Sequence, residues 1–288
     1  MQYLNAIVQG ILQGGLYALF AAGLSYMFGV MRLVNLAHGA LAILAAYGAL
    51  FLVDAGFVSP LLALLVVVPV IAALGYVLQR FVLQRTLSDS PLPSLLVTFG
   101  IAIIIQNVLL LWQTANTRQL RLGGFETASF SIGSLRIGWL PLLILLVAVV
   151  ALGVLSFVQA RTPFGRLVRA VSDDAPIVSL VGANPKHIYA VAAAIAFGLV
   201  AIAGVAFGVT RGFDPLSGDL LLIYAFEAVI IGGLGSLWGT FLGAIILGVV
   251  QTVAATFDTT LFDLAGHVVF LIFLIFLPNG IIRRKVRL

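Results

Sequence analysis

Long apolar runs separated by short polar punctuation dominate this chain. Windows free of Asp, Glu, Lys and Arg extend from Met1 to Met31, Leu33 to Val53, Ala55 to Gln79, Ser90 to Thr117 and Ile137 to Ala160. They continue from His187 to Thr210, Leu220 to Phe257 (interrupted only by Glu227) and Leu264 to Ile282. A helix needs about 20 apolar residues to cross the hydrocarbon core, so each of these eight windows predicts at least one membrane helix. The seventh, at 38 residues, would be about 57 Å long as one helix, too long for a single span. Gly232-Gly233-Leu234-Gly235-Ser236 lies in its middle and predicts two short helices broken at the glycines. A re-entrant pair has the same pattern.

Composition agrees with the pattern. Hydrophobic residues make up 62% of the 288 positions and charged ones 9%, with a mean hydropathy of +1.20. Soluble domains carry about 25% charge, so neither a soluble globule nor a disordered chain fits. One membrane-embedded domain over 1–288 is expected. The absence of cysteine excludes a disulfide framework and thiolate metal sites. The first apolar stretch lacks the basic n-region of a cleavable signal and is expected to be retained.

Basic residues set the orientation. Arg283, Arg284, Lys285 and Arg287 place the C-terminus in the cytoplasm, together with Arg161, Arg166, Arg169, Lys186, Arg80, Arg85 and Arg32; Arg118, Arg121, Arg136 and Arg211 fall outside. This partition needs the 220–257 region to cross an even number of times. The expected fold is therefore an all-α polytopic transmembrane helix bundle of about nine spans, including the short or broken pair, with the N-terminus outside. Scattered basic residues of this kind do not indicate nucleic-acid binding.

Two loops are long. The outer one, Thr114 to Trp139, alternates roughly between apolar and polar positions and predicts a small hairpin. In the inner one, residues 161–187, Ser172, Asp173 or Asp174 can cap a helix that carries Pro176 in its first turn. Ile177, Val178, Leu180 and Val181 then form one apolar side, and Gly182 with Asn184-Pro185 stops it. Either an ordered loop or a docking helix for a cytoplasmic partner accounts for this segment.

Several chemistries lack residues. No G-x-x-x-x-G-K-[ST], H-E-x-x-H or G-x-S-x-G occurs, and neither does a voltage-sensor or T-V-G-Y-G pattern. No catalytic residue is assigned, and three isolated histidines assign no metal site. What remains is polar groups at membrane depth. Glu227 reads either as pathway lining or proton coupling, or as a hydrogen bond to broken-helix backbone. Gln106 and Asn107 read as interhelical glue or substrate contacts. Asn35 reads as an N-cap, or with His38 as a polar gate. Gly235, Gly239 and Gly243 share a helix face, as do Gly10 and Gly14; both sets permit close helix packing.

These residues carry a resemblance. Gly15-Leu16-Tyr17-Ala18-Leu19 with Ala22-Gly23-Leu24, the run from Phe28 through Asn35 and His38 to Gly39, and Gly165-Arg166-Leu167-Val168-Arg169-Ala170 are part of it. Gly182-Ala183-Asn184, Gly232 to Ser236 with Gly239, Gly243 and Gly248, and Leu277-Pro278-Asn279-Gly280 complete it. The whole chain, in order, resembles the LivH-type permease subunits of branched-chain amino acid ABC transporters. Pro176, and Val178 where the family has a small alanine, depart from the pattern.

The resemblance implies a multi-pass protein of the bacterial inner membrane that imports amino acids, most of all branched-chain ones. It implies a second related permease subunit, two cytoplasmic ATPase subunits and a periplasmic substrate-binding protein, with membrane lipid around them. This chain would bind no cofactor, and the ATP would be used by the partner subunits. The inner loop would couple to the ATPases through Arg169, Ala170, Asp173, Asp174 and Gly182. Pathway candidates are Asn35, His38, Gln106, Asn107, Glu227, Gly233 and Gly235. Similar permeases carry urea, short amides or aromatic acids, and the sequence does not separate these cargoes. A proton-coupled secondary carrier using Glu227 is the alternative from another class.

Overall fold

The computed structural model of the chain describes residues 2–56, 59–87, 90–133, 135–180 and 182–282. Val181 and the tail cluster Arg283, Arg284, Lys285 and Arg287 lie outside the described residues. Helices α1 (Gln2–Met31), α2 (His38–Asp54), α3 (Pro60–Phe81) and α4 (Leu92–Gln113) lead to a hairpin of β1 (Ser129–Ile132) and β2 (Leu135–Gly138). Then come α5 (Trp139–Arg161), α6 (Pro163–Asp173), α7 (Ala175–Leu180), α8 (Pro185–Thr210), α9 (Ser217–Gly232), α10 (Leu237–Ala254) and α11 (Leu261–Phe276). Six of the described helices, α1, α3, α4, α5, α8 and α10, are long and apolar enough to cross a membrane. The shorter α2 and α11 are also apolar. The chain is a polytopic helical membrane protein.

Helix α1 forms the centre. Its run from Gly14 to Met27 is buried on every side, the signature of a helix apolar all round and enclosed by others. Helices α5, α8, α9 and α10 pack against it. The outer helices bury only one ridge each. In α3 this ridge is Ala63, Val67, Ile71, Gly75 and Gln79; in α5 it is Leu140, Ile144, Ala148 and Leu152. That four-residue spacing places them on one face. The remaining faces are equally apolar and exposed, as lipid contact requires.

Glycines set the closest approaches. A Cβ on Gly39 of α2 would lie 1.9 Å from the carbonyl oxygen of Gly218 in α9, and one on Gly204 of α8 would lie 2.0 Å from that of Ala42 in α2. Gly10 and Gly14 of α1 meet Gly248 and Ala244 of α10. The predicted break in the 220–257 window is present. Helix α9 ends at Gly232, Gly233 and Gly235 turn the chain at φ +106° and +78°, and the Ser236 side chain caps α10 through the Gly239 N–H at 3.2 Å.

The bundle has two distinct ends. At one, Gln9 of α1 donates to the Arg136 carbonyl of the hairpin at 2.5 Å, and Arg211 after α8 donates to Gln13 at 3.2 Å. The hairpin itself pairs Ser129 with Gly138 and Ile132 with Leu135, as the alternation predicts. At the other end lie α6 and α7. Here the structure corrects the expectation of one inner helix. Asp174 caps α7 by accepting the Ile177 N–H at 3.0 Å, but a second helix, α6, precedes it. Thr162 caps α6 through the Gly165 N–H at 3.1 Å, and Pro163 occupies its first turn. The segment before α2 differs as well. Ala37 holds the cap position, while Asn35 makes a turn in which its Oδ1 accepts the Ala37 N–H at 3.0 Å.

Candidate functional site

At the hairpin end the polar ends of α1, α8 and α9 converge on open space. A cavity of about 170 Å³ lies between α1 and α5, walled by Leu12, Leu16, Leu140 and Ile144 and flanked by Glu126 and Arg211. A second cavity, about 220 Å³, shares Gln13, Leu16 and Arg211 with the first and adds Tyr17, Phe207 and Tyr224. The Glu126 carboxylate accepts the backbone N–H groups of Leu122 and Gly124, both at 3.1 Å. Its own backbone N–H first, then these two donors and the charge of Arg121, hold its carboxyl below the usual glutamate range. It is therefore an anion at neutral pH.

A polar column continues along α1 and α9 to α11. The Tyr17 hydroxyl donates to Gln251 at 2.8 Å, and the Tyr224 hydroxyl to Asp263. The two tyrosine rings stand 5.0 Å apart. Farther along, Glu227 bonds to His267 Nδ1, and Thr240 donates to Ser25 at 2.8 Å. Helix α1 contributes Tyr17 and Ser25 to this column, both bonded to α10.

The candidates read from sequence take different places. Glu227 is 3% exposed and its partner is a side chain, His267 of α11, rather than broken-helix backbone. Gln106 of α4 donates to Asp219 at 2.6 Å, joining α4 to the start of α9. Asn107 donates to the Ile103 carbonyl of its own helix at 2.8 Å. His38, fully buried, bonds through Nε2 to the Phe20 carbonyl at 2.9 Å, and the Leu36 N–H beside it bonds to Thr98 at 3.1 Å. Phe20 lies eleven residues before the end of α1, about 16 Å along the helix axis. The chain between α1 and α2 therefore climbs back into the bundle. Gly233 abuts Gly280. None of these residues lines the two cavities at the hairpin end.

Residues the sequence reading passed over make up much of the site: Tyr17, Glu126, Arg211, Tyr224, Gln251, Asp263 and His267. His267 carried a readable signal, a polar group inside the last apolar window. Arg211 and Glu126 sit at loop boundaries, where a charge is ordinary. Among the described residues no three His, Asp or Glu side chains come together as a metal site.

The Glu227–His267 contact makes a prediction. Glu227 is the buried member of this contact and His267 is partly exposed; removing the partner of a buried polar group orphans it, at a cost of about 1–3 kcal/mol. His267→Leu is expected to lower the melting temperature in detergent, and Glu227→Leu added to it is expected to restore part of the loss. If the double variant melts no higher than the single one, the pair is not the reason for the loss.

At the opposite end, α6 is braced. Ser172 donates to the Gly29 carbonyl at 3.0 Å, Tyr189 of α8 donates to that of Val171 at 3.2 Å, and Arg169 bonds to that of Gln159 at the end of α5. Ala170, Asp173 and Gly182 are exposed, as is the capping Asp174. On α7 only Val178 is buried, while Ile177 is 59% and Leu180 85% exposed. A groove of about 640 Å³ beside α7 is edged by Arg80 and Lys186.

Comparison with known proteins agrees with this architecture. Residues 6–277 match a family model described as branched-chain amino acid transport system / permease component. The chain is 29% identical to the high-affinity branched-chain amino acid transport system permease protein BraD of Pseudomonas aeruginosa, over 98% of this chain and 96% of the relative. It is 25% identical to the corresponding LivH protein of Escherichia coli K12, over 99% and 96%. An autoinducer 2 import system permease protein, LsrC of Klebsiella pneumoniae, is 29% identical over 58% of this chain and 49% of its own length. No solved structure matches.

Proposed function

Given that the chain belongs to the branched-chain amino acid transport permease family, we propose that it is the membrane subunit of an ATP-driven importer whose cargo is an amino acid, a branched-chain one by the names of its relatives. In this reading it stands in the bacterial inner membrane with about nine crossings. The hairpin end faces outward toward a periplasmic binding protein, and α6, α7 and the C-terminus face the cytoplasm. A second related permease subunit sits beside it, and two ATPase subunits bind beneath and use the ATP.

The observation that carries this reading is the α6–α7 pair. It is tied by hydrogen bonds to α1, α5 and α8, and it leaves Ile177 and Leu180 uncovered. A rigid lever with an apolar tip suits a subunit that receives force from another chain. ATP binding and hydrolysis would then favour different packings of the bundle, because the partners bind the two packings with different affinity. Asp174 serves the lever by capping α7, and Arg169 by fastening α6 to α5.

The test is uptake of radiolabelled leucine by cells carrying this chain and its partner subunits, each deleted in turn, with urea and benzoate as competitors. Uptake is expected to be lost when either this chain or the ATPases are removed. Uptake that survives ATPase removal but collapses with a proton ionophore would replace this reading with the Glu227-dependent carrier. ATPase-dependent uptake blocked only by urea or benzoate would keep the machine and change its cargo.

A further inference from the structure

The slot at the hairpin end combines three chemistries in one small space. A guanidinium (Arg211), a carboxylate (Glu126) and the aliphatic side chains of Leu12, Leu16, Leu140 and Ile144 all line it. Among the described residues the two charges form no ion pair with each other. Among the described residues the Arg211 guanidinium makes one hydrogen bond, from Nη2 to Gln13, out of the five N–H donors it carries. Glu126 accepts the backbone N–H groups of Leu122, Gly124 and its own residue and feels the charge of Arg121, and an ionised carboxylate has about four acceptor sites. Two opposite charges that line one slot without pairing leave their remaining capacity to a ligand carrying both signs.

We infer that this slot is a reception site for a free aliphatic α-amino acid, with Arg211 taking the carboxylate, Glu126 the ammonium, and the leucine and isoleucine walls the side chain. The inference rests on the importer reading above and names the residues of this chain that would receive its cargo. A neutral urea or amide can use neither charge fully, and an aromatic acid lacks the ammonium that Glu126 would hold. A carboxylate–guanidinium contact is also the geometry arginine serves best. Arg211 lines the adjoining cavity as well, so the group that receives the carboxylate stands where cargo passes from the first cavity toward Tyr17 and Tyr224.

The test uses the assembled complex of this chain with its partner permease and ATPases, without the binding protein, so that the receptor's own selectivity does not enter. Saturation-transfer NMR at millimolar concentration compares the methyl signals of leucine, leucinamide (no carboxylate) and 4-methylpentanoate (no ammonium). Leucine is expected to exceed both analogues at least fivefold. Arg211→Gln is expected to erase the difference between leucine and leucinamide, Glu126→Gln that between leucine and 4-methylpentanoate, and Arg211→Lys to retain most of the preference. ATP-driven leucine uptake by the Arg211→Gln complex should fall at least tenfold.

Arg118→Gln separates recognition from the general field of this end, because it removes an exposed positive charge that lines neither cavity. It is expected to keep the analogue ratios of the unaltered complex. Ratios unchanged in both charge variants, or an Arg118→Gln complex that loses them as Arg211→Gln does, would overturn the inference while leaving the importer reading in place. An unaltered complex with no ATPase-dependent leucine uptake would instead remove the reading beneath it.

Discussion

Valine at position 39 is expected to eliminate the folded protein. The Cβ alone would lie 1.9 Å from the Gly218 carbonyl oxygen and 2.7 Å from its carbon. Ordinary contact between heavy atoms is about 3.5–4.0 Å, so α2 and α9 would have to separate by roughly 1.5–2 Å before the two valine methyls are placed. Overpacking costs about 1–3 kcal/mol where side chains can yield. Here the obstacle is backbone on both sides, since a Cβ on Gly218 would in turn lie 2.7 Å from the Gly39 carbonyl. Separation would also disturb the Ala42–Gly204 approach one turn along α2 and the His38 bond to Phe20. The monodisperse size-exclusion peak of a fluorescent fusion in detergent is expected to fall at least tenfold. Gly100→Ala is the control: its Cβ would meet nothing within 4 Å, and the peak should be unchanged. A normal peak for Gly39→Val would mean that the α2–α9 contact is not held at this distance.

That contact also marks where sequence stops being informative. The break at Gly232 to Ser236 was legible because a 38-residue window exceeds any single span and glycines occupy its centre. The hairpin was legible from alternation. The partner of each glycine was not, because Gly39–Gly218 and Gly10–Gly248 join residues 179 and 238 positions apart, and a small residue advertises closeness without naming its neighbour. Hydropathy hides the buried ridge of α3 and α5 for a related reason: lipid and protein interior both favour Val, Leu and Ile. Helix α6 was missed for the opposite reason. Its charged face made it look like loop, although Thr162-Pro163 is a capping signal and Phe164, Leu167, Val168 and Val171 keep helical spacing. The polar column was half visible. Glu227 stood out as a charge in an apolar run, but His267 carries no formal charge and left its window unbroken. Arg211 and Glu126 gain meaning only when α8 and the outer loop are folded beside α1.

Aspartate at both Ile177 and Leu180 is expected to uncouple transport while leaving the bundle intact. Both side chains are mostly exposed on α7, and the residue that anchors the helix, Val178, is untouched. Nothing in the buried core changes, so yield and melting temperature should match the unaltered protein. What changes is the tip that would enter an ATPase subunit. Burying a leucine- or isoleucine-sized side chain contributes about 1.5–3 kcal/mol, so losing two removes at least about 3 kcal/mol. At 1.4 kcal/mol per tenfold, that is roughly two decades in affinity before the cost of drawing two carboxylates into an apolar cleft is added. ATPase subunits should no longer copurify, and ATP-driven leucine uptake should drop at least tenfold. Val178→Ala probes the other face. It should loosen α7 from the bundle and lower the melting temperature, with a smaller loss of copurification. If the double aspartate variant still copurifies and transports at the unaltered rate, the ATPases grip elsewhere on this end, and the groove edged by Arg80 and Lys186 becomes the surface to alter next. The distinction matters for how force enters the protein. A grip on α7 acts through α6 on α1, α5 and α8 together, since α6 is bonded to all three. A grip on the groove would act directly on α3 and α8 through Arg80 and Asn184, and on α7 from its other side through Ala175, Pro176 and Ser179.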